Sequence, residues 1–130
     1  MVRNMSLMLD TYAILEFFQG TDKGETVKDL IDAEQSIHIS VLSLYETGTV
    51  LERQIGKKDA QDYLRSLQTY YQIVDVTADI ALNAVKLKRK FKLPAIDCLI
   101  YSSARKMKAD VVSGCKHFKS IEHQKDVIVI

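Results

Sequence analysis

The stretch Ser6-Leu7-Met8-Leu9-Asp10-Thr11-Tyr12-Ala13-Ile14-Leu15 decides the fold class of this chain. Its first four residues are a short apolar run typical of a buried strand, and a helix is predicted over about 11–18. A strand that passes directly into a helix begins a unit of the kind that builds parallel sheets. The rest of the chain repeats this alternation and contains no hairpin signal.

Apolar spacing in the remaining sequence predicts the other strands and helices. Further strands are predicted at 36–40, 72–76, 110–113 and 126–130. Helices are predicted at 25–34, 41–53, 57–71, 78–91 and 96–108, with a loop over 19–24 and a short turn or helix over 114–120. Thr77 is the predicted N-cap of helix 78–91. Strands separated by helices predict an α/β protein, with a mainly parallel five-stranded sheet covered on both faces.

Length and composition are those of one compact domain, predicted to span residues 1–130. Hydrophobic residues make up 47% of the chain and charged residues 27%, close to the averages for soluble globular proteins. The longest uncharged stretch, 35–45, is too short to cross a membrane, and the N-terminus lacks the apolar region of a signal peptide. Two cysteines without a framework suit a reducing compartment. We therefore expect a cytoplasmic protein with no membrane partner.

Three carboxylates, those of Asp10, Glu46 and Asp97, lie inside apolar runs that contain no Lys or Arg. Removing an ionised carboxylate from water costs on the order of several kcal/mol unless a partner compensates it. A divalent cation shared by all three would supply that compensation.

The predicted topology brings these acids toward one edge of the sheet, where ligands of open parallel sheets bind. Asp10 ends the first strand, Glu46 follows the second strand, and Asp97 opens the helix that leads into the fourth. Each acid also has an ordinary structural interpretation. Asp10 and Asp97 could be N-caps, and Glu46 could be a half-exposed residue of an amphipathic helix.

Positive charge is concentrated in the second half of the chain. Residues 84–125 contain 11 of the 18 Lys and Arg residues but only 3 of the 17 acidic residues. The densest segment, 86–92, has five cations in seven residues at the end of a predicted helix. Such a segment is either a solvated helix end that complements the helix dipole or a patch that binds phosphate groups.

Four motifs in order resemble those of the PIN domain, a family of metal-dependent nucleases that includes the VapC toxins of toxin–antitoxin pairs. They begin with Asp10-Thr11 in the opening segment and Ser43-Leu44-Tyr45-Glu46 as a second acidic motif. A helix start at 93–104, around Asp97, and a closing segment at 111–118 complete the resemblance, which covers essentially the whole chain.

The resemblance implies a three-layer αβα fold and a metal-dependent endoribonuclease that acts as the toxin of such a pair. Asp10, Glu46 and Asp97 would be the catalytic residues and the ligands of Mg²⁺ or Mn²⁺. Thr11, Ser113 and Cys115 would support the site. The implied partners are RNA, a cognate antitoxin whose tail could insert a cation among the acids, and a second copy in a homodimer. Segments 86–92 and 105–119 would steer RNA, with contacts expected from Lys86, Lys88, Arg89, Lys90, Lys92, Lys116 and His117.

One position departs from the family pattern, because Cys115 stands where a fourth acid is usual. The absence of this fourth acid should weaken a second Mg²⁺ site. It should instead favour Mn²⁺ or Zn²⁺ if the Cys115 thiolate and His117 both bind the ion. Cys115 could instead be a small packed residue, and His117 a surface histidine. The alternative function is therefore a catalytically weak or inactive PIN-like module that binds RNA or a partner. A phospho-acceptor receiver fits less well, because Asp10 has no acidic neighbour before Glu16.

Overall fold

The computed structural model describes residues 6–33 and 36–130. Its centre is a five-stranded sheet in the order β3-β2-β1-β4-β5, and all four pairings are parallel. The strands are β1 Ser6–Leu9, β2 Ser36–Ser40, β3 Gln72–Val74, β4 Asp110–Ser113 and β5 Val127–Val129. The helices are α1 Thr11–Gln19, α2 Asp22–Ala33, α3 Val41–Ile55, α4 Lys57–Tyr70, α5 Ala78–Phe91, α6 Ala95–Lys106 and α7 Lys116–Lys119.

Two hydrophobic cores lie on opposite faces of the sheet. Successive strand residues point to opposite faces, so Met8 packs with side chains of α5 and α6, whereas Leu7 and Leu9 pack with α1, α2 and α4. The central strands β1 and β4 are almost entirely buried. Because both faces are covered by helices, the predicted α/β class, the parallel five-stranded sheet and the three-layer αβα arrangement are confirmed.

The largest error in the sequence prediction is the start of α2. This helix begins at Asp22, so the second half of the predicted loop 19–24 is helical. Thr21 explains the earlier start, because its hydroxyl accepts a hydrogen bond from the Gly24 backbone N–H at 3.0 Å, as an N-cap side chain does. Glu34, the predicted last residue of this helix, lies outside the described residues.

Other boundaries differ by one or two residues. Strand β3 ends at Val74 and not at 76, while β5 covers 127–129 and not 126–130. Helices α1 and α3 extend to Gln19 and Ile55, and α4 ends at Tyr70. Helix α6 begins at Ala95 and ends at Lys106, before Lys108 with its left-handed φ of 54°. Thr77 occupies the N-cap position of α5, but its hydroxyl bonds the Asp79 side chain and caps no backbone N–H.

The topology places three chain segments at the carboxyl edge of the sheet. Strand β1 passes into α1 at Asp10, and β2 passes into α3 at Ser40, whose side chain caps that helix by accepting from the Leu42 N–H at 3.1 Å. Strand β4 ends at Ser113, beside β1. Among the described residues, no helix combines the length and the hydrophobicity needed to cross a membrane.

Candidate metal centre

A cleft of about 620 Å³ opens at the carboxyl edge of the sheet. Asp10, Glu46 and Asp97 all line it, so the structure brings together the three acids that the sequence singled out. The other predicted site residues that line the cleft are Thr11, Cys115 and His117.

Asp10 combines two of its predicted roles, because it both caps α1 and lies in the cleft. Its Oδ1 accepts a hydrogen bond from the Ala13 N–H at 2.9 Å, and the residue is only 3% exposed. Burial raises the pKa of the Asp10 carboxyl from 3.8 to about 7, although hydrogen bonds from Ser113 and Ala13 act in the opposite direction. The negative charges of Asp97 and Glu46 raise this pKa further.

Ser113 supports Asp10 from the end of β4. Its buried hydroxyl donates to the Asp10 carboxylate and accepts a hydrogen bond from the Cys115 N–H at 3.1 Å. A serine hydroxyl that bonds the backbone two residues ahead fixes a tight turn. Ser113 therefore ties the conformation of the turn after β4 to the position of Asp10.

Glu46 reaches the cleft from the second turn of α3 and is half-buried there. The Thr11 hydroxyl donates to Glu46 Oε1 at 2.6 Å, across a separation of 35 residues. Thr11 therefore orients the carboxylate, and its position in the first turn of α1 places that hydrogen bond next to Asp10.

Asp97 lies in the first turn of α6, where the helix dipole favours a negative charge. The N-cap interpretation of Asp97 is wrong, because Pro94 occupies that position and α6 has no side-chain cap. The Asp97 side chain is 18% exposed, and its Oδ2 lies 3.2 Å from His117 Nδ1. Burial is the main cause that raises the pKa of Asp97, His117 lowers it, and the charge of Glu46 adds to the rise.

Together the three carboxylates have the chemistry of a hard-cation site. In addition to burial, the negative charges of Asp97 and Glu46 raise the free energy needed to ionise Asp10. A bound cation would offset this repulsion among the carboxylates. Several carboxylate oxygens in one cleft are the donors that Mg²⁺ and Mn²⁺ prefer. Asp10, Glu46 and Asp97 therefore share a cleft and offer the donor chemistry of a divalent-ion site, although among the described residues only Asp97, Cys115 and His117 bring three ligand atoms within 4.8 Å of one another.

Cys115 and His117 form one wall of the cleft, and the sequence left the role of both residues open. Cys115 is the N-cap residue of α7 and partly packs against the core beneath α5 and α6, yet it also lines the cleft. Three possible ligand atoms lie within 4.8 Å of one another, one each from Asp97, Cys115 and His117. Both interpretations of Cys115, as a packed residue and as a possible ligand, are compatible with this position.

The predicted RNA-binding residues are spread over more surface than the sequence suggested. Of them, His117 alone lines the cleft in the described part of the chain, and Lys116 is exposed beside it. The side chains of segment 86–92 project from α5 and its C-cap, and Lys88 Nζ donates to the Leu93 carbonyl oxygen at 2.8 Å.

The first residues of segment 105–119, whose steering role stays a prediction, lie away from the cleft. Arg105 and Lys106 lie at the end of α6 away from Asp97, where they pair with Asp126 and Asp79. Sequence shows the charge of a helical residue but not the end of the helix on which a cleft will form.

Two tyrosines that line this cleft and a lysine beside it are not among the predicted site residues. Tyr12 and Tyr45 line it, and Tyr45 is 72% exposed. Lys23 Nζ donates to the Tyr12 hydroxyl at 3.1 Å, which places a cation beside the cleft. Tyr12 directly follows Thr11, and Tyr45 directly precedes Glu46. This adjacency to predicted site residues is the sequence signal that could have indicated the two tyrosines. Lys23 gave none, because it belongs to the misplaced start of α2.

A family model described as PIN domain matches residues 7–123. Comparison with curated proteins gave no match.

Several solved structures share the fold. A toxin–antitoxin complex from Klebsiella pneumoniae is similar at 20% identity and a TM-score of 0.75, over 95% of this chain and 96% of that one. VapBC2 from Rickettsia felis, bound to a DNA fragment from its promoter, is similar at 20% identity and a TM-score of 0.73, over 96% and 97%. VapC20 from Mycobacterium tuberculosis, described as a Sarcin-Ricin loop cleaving toxin, is similar at 20% identity and a TM-score of 0.71, over 88% and 94%.

Proposed function

Because this chain belongs to the PIN domain family, we propose that it is a divalent-metal-dependent endoribonuclease and the toxin of a toxin–antitoxin pair. One observation carries the proposal: Asp10, Glu46 and Asp97, from three separate segments, line a single cleft at the carboxyl edge of the sheet. Bound Mg²⁺ or Mn²⁺ would supply Lewis acidity toward a phosphodiester and a source of hydroxide at neutral pH.

The chain's own residues hold the acids in place for this role. Ala13 and Ser113 fix the Asp10 carboxylate, Thr11 fixes Glu46, and His117 lies against Asp97. Such supporting hydrogen bonds keep ligands in the geometry that binding requires. Glu46 and Asp97 are partly exposed in the cleft and within reach of an extended RNA strand, whereas Asp10 is only 3% exposed.

Aromatic and basic residues at the cleft suit a single-stranded RNA segment. The exposed ring of Tyr45 offers a surface on which an unpaired base can stack, and Lys23 offers a cation for a phosphate group beside Tyr12. The preference for RNA is supported by the VapC20 toxin among the similar structures.

The proposed partners are an antitoxin, a second copy of this chain and RNA, in the cytoplasm. Toxin–antitoxin complexes among the similar structures support the antitoxin. An acidic cleft also attracts a cationic side chain, so an antitoxin segment that carries Arg or Lys could neutralise the three carboxylates and block RNA entry.

The test is cleavage of a structured RNA by the chelator-treated protein, before and after Mg²⁺ or Mn²⁺ is restored. We expect cleavage only with the ion, and Glu46→Gln should reduce the rate at least about 100-fold through the loss of a ligand. Glu52→Gln is the matched control, because Glu52 is an exposed acid on the same helix. Cleavage that continues in chelator, or that survives in Glu46→Gln, contradicts the proposal.

A second arm separates a weak enzyme from an inactive binding module. Cys115→Asp restores the acid that the family pattern usually has, and a higher turnover would show that the missing ligand limited the rate. If neither the wild-type protein nor Cys115→Asp cleaves RNA, while RNA binding is unchanged by chelator, the alternative function of a binding module is correct.

A further inference from the structure

One wall of the cleft carries ligands of a different chemical kind from the three acids. Asp97 comes from α6, while Cys115 and His117 flank the start of α7. One ligand atom of each residue lies within 4.8 Å of the other two, and His117 Nδ1 is already 3.2 Å from Asp97 Oδ2. A carboxylate, a thiol and an imidazole therefore meet at one point, on two elements that are distant in sequence.

This combination of ligands selects a class of metal ion. Mg²⁺ prefers an all-oxygen set, whereas Zn²⁺ and similar ions bind thiolate and imidazole strongly. Zn²⁺ binds its ligands at about 2.0–2.3 Å, so neighbouring ligands of a tetrahedral site are roughly 3.5 Å apart. The Asp97–His117 pair meets that spacing, and the limit of 4.8 Å leaves only a small side-chain adjustment for Cys115.

The backbone around Cys115 and His117 is held firmly enough to present them together. Ser113 Oγ accepts from the Cys115 N–H, and Phe118 is fully buried in the core directly after His117. Gly114 lies against the Tyr12 ring, so closely that a Cβ there would overlap it. All three ligand side chains are half-buried and face the cleft, which leaves them accessible to an ion and to water.

We propose that Asp97, Cys115 and His117 form a binding site for Zn²⁺ or another thiophilic divalent ion, with water from the cleft in the fourth position. Binding displaces the thiol proton of Cys115 to solvent, because the thiolate is the ligand. Since Asp97 is also assigned to the hard-ion site, the two ions compete for one carboxylate. This second part rests on the proposed nuclease function, and it makes Zn²⁺ an inhibitor of cleavage.

Cobalt substitution tests the site without RNA. Co²⁺ bound to a thiolate gives an intense charge-transfer absorption in the near ultraviolet, which carboxylate and imidazole ligands do not give. We expect this band when Co²⁺ is added to the reduced, chelator-treated full chain, and we expect added Zn²⁺ to abolish it. Cys115→Ser should lose the band, and His117→Gln should weaken Zn²⁺ binding roughly tenfold or more.

Cys98 provides the matched control, because it is the only other cysteine and its buried thiol donates to the Leu93 carbonyl oxygen at 3.3 Å. Cys98→Ser and Cys98→Ala should keep the band, and either variant that folds suffices. No band in the wild-type protein, or a band that survives in Cys115→Ser, would overturn the proposed site.

Competition during RNA cleavage tests the shared carboxylate. With Mn²⁺ present, one equivalent of Zn²⁺ should reduce the wild-type rate, whereas Cys115→Ser, compared with its own zinc-free rate, should be much less sensitive. Equal zinc inhibition of both proteins would reject the competition. The two proposals can fail separately. If the cobalt band is absent but RNA is cleaved, the thiolate site is rejected and the nuclease function stands. If the band is present but RNA is not cleaved, the metal site stands and the nuclease function is rejected.

Discussion

Asp10 shows how one side chain can serve both the fold and the site. Its Oδ1 caps α1 through the Ala13 N–H, while Ser113 donates to the same carboxylate. Those two hydrogen bonds do not offset the cost of burial, since the pKa remains raised. Without a cation, Asp10 is therefore a destabilising residue at neutral pH, and this cost is the expected signature of a residue retained for function.

The first prediction concerns Asp10→Asn in the metal-free protein. The folded-state pKa of about 7 exceeds the unfolded value of 3.8, so the folded state binds the proton more tightly. The contribution of Asp10 to the stability of the wild-type protein should therefore fall as pH rises from about 4 to about 7. Asn caps a helix as well as Asp and carries no charge. We expect the variant to be more stable than the wild type at pH 8, by a few kcal/mol given about 1.4 kcal/mol per pKa unit, and equally stable near pH 4.

Urea denaturation across this pH range, in chelator, measures the difference between the two proteins. Asp59→Asn is the control, because Asp59 is an exposed acid in the first turn of α4 and should show no comparable gain at pH 8. A wild-type protein as stable as Asp10→Asn at pH 8 would contradict the prediction.

At this scale the sequence predicted the three acids but not their surroundings. Asp10 could be predicted because it directly follows a strand, and the strand fixes its position at the sheet edge. The hydrogen bond from Thr11 to Glu46 joins residues 35 positions apart, and no local pattern indicates such a pair. The position of Lys23 at the cleft depends on where α2 begins, so it could not be predicted while that boundary was wrong.

Helices α1 and α2 are in close contact where Gly24 meets the backbone of Glu16. Gly24 is buried on α2, and a Cβ there would overlap the Glu16 carbonyl oxygen of α1. The obstacle is backbone, so no side-chain rotation can relieve it. This close approach supports the site, because α1 carries Thr11 and follows Asp10 directly.

The second prediction is that Gly24→Ala destabilises the protein. In an exposed helix the same change would stabilise it by up to about 1 kcal/mol. Here we expect a loss of about 1–3 kcal/mol, typical of overpacking, because α1 and α2 must separate. Thermal or urea unfolding monitored by circular dichroism measures it.

The control for this change is Thr26→Ala, an exposed position on the same helix, which should be neutral or slightly stabilising. If Gly24→Ala raised the unfolding midpoint as Thr26→Ala does, the close helix approach would be refuted. The same glycine explains the boundary error of the sequence prediction. Glycine usually marks a loop, but at residue 24 it is required by packing inside a helix.

Across the whole molecule, the cleft joins parts of the chain that belong to different cores. Asp10 directly precedes α1 and Glu46 lies in the second turn of α3, and both helices pack in the core that contains Leu7 and Leu9, whereas Asp97 belongs to α6 and the opposite core. An ion held by all three would connect both layers of helices through the edge of the sheet.

The third prediction is that Mn²⁺ stabilises the whole protein. An ion that binds only the folded state adds about 2.7 kcal/mol at 100 times its dissociation constant. We expect the urea midpoint to rise with Mn²⁺ concentration in the wild type and in Glu52→Gln, and much less in Glu46→Gln. An unchanged wild-type midpoint at millimolar Mn²⁺ would argue against the joint site.

The class and topology of the molecule could be predicted because alternation of strand and helix leaves few arrangements. The distribution of the basic residues could not. Segment 86–92 is on a helix whose end is near the cleft, but Arg105 and Lys106 are at the far end of α6 and neutralise Asp126 and Asp79. Which cations remain for a ligand depends on ion pairs between distant residues.

Both outer strands of the sheet, β3 and β5, are only three residues long. A foreign polypeptide that tried to extend the sheet would find few free backbone donors and acceptors in register, so strand addition offers it little binding energy. We therefore expect other proteins to bind this chain through the surfaces of its helices. The short edge strands also disfavour aggregation by strand pairing between copies.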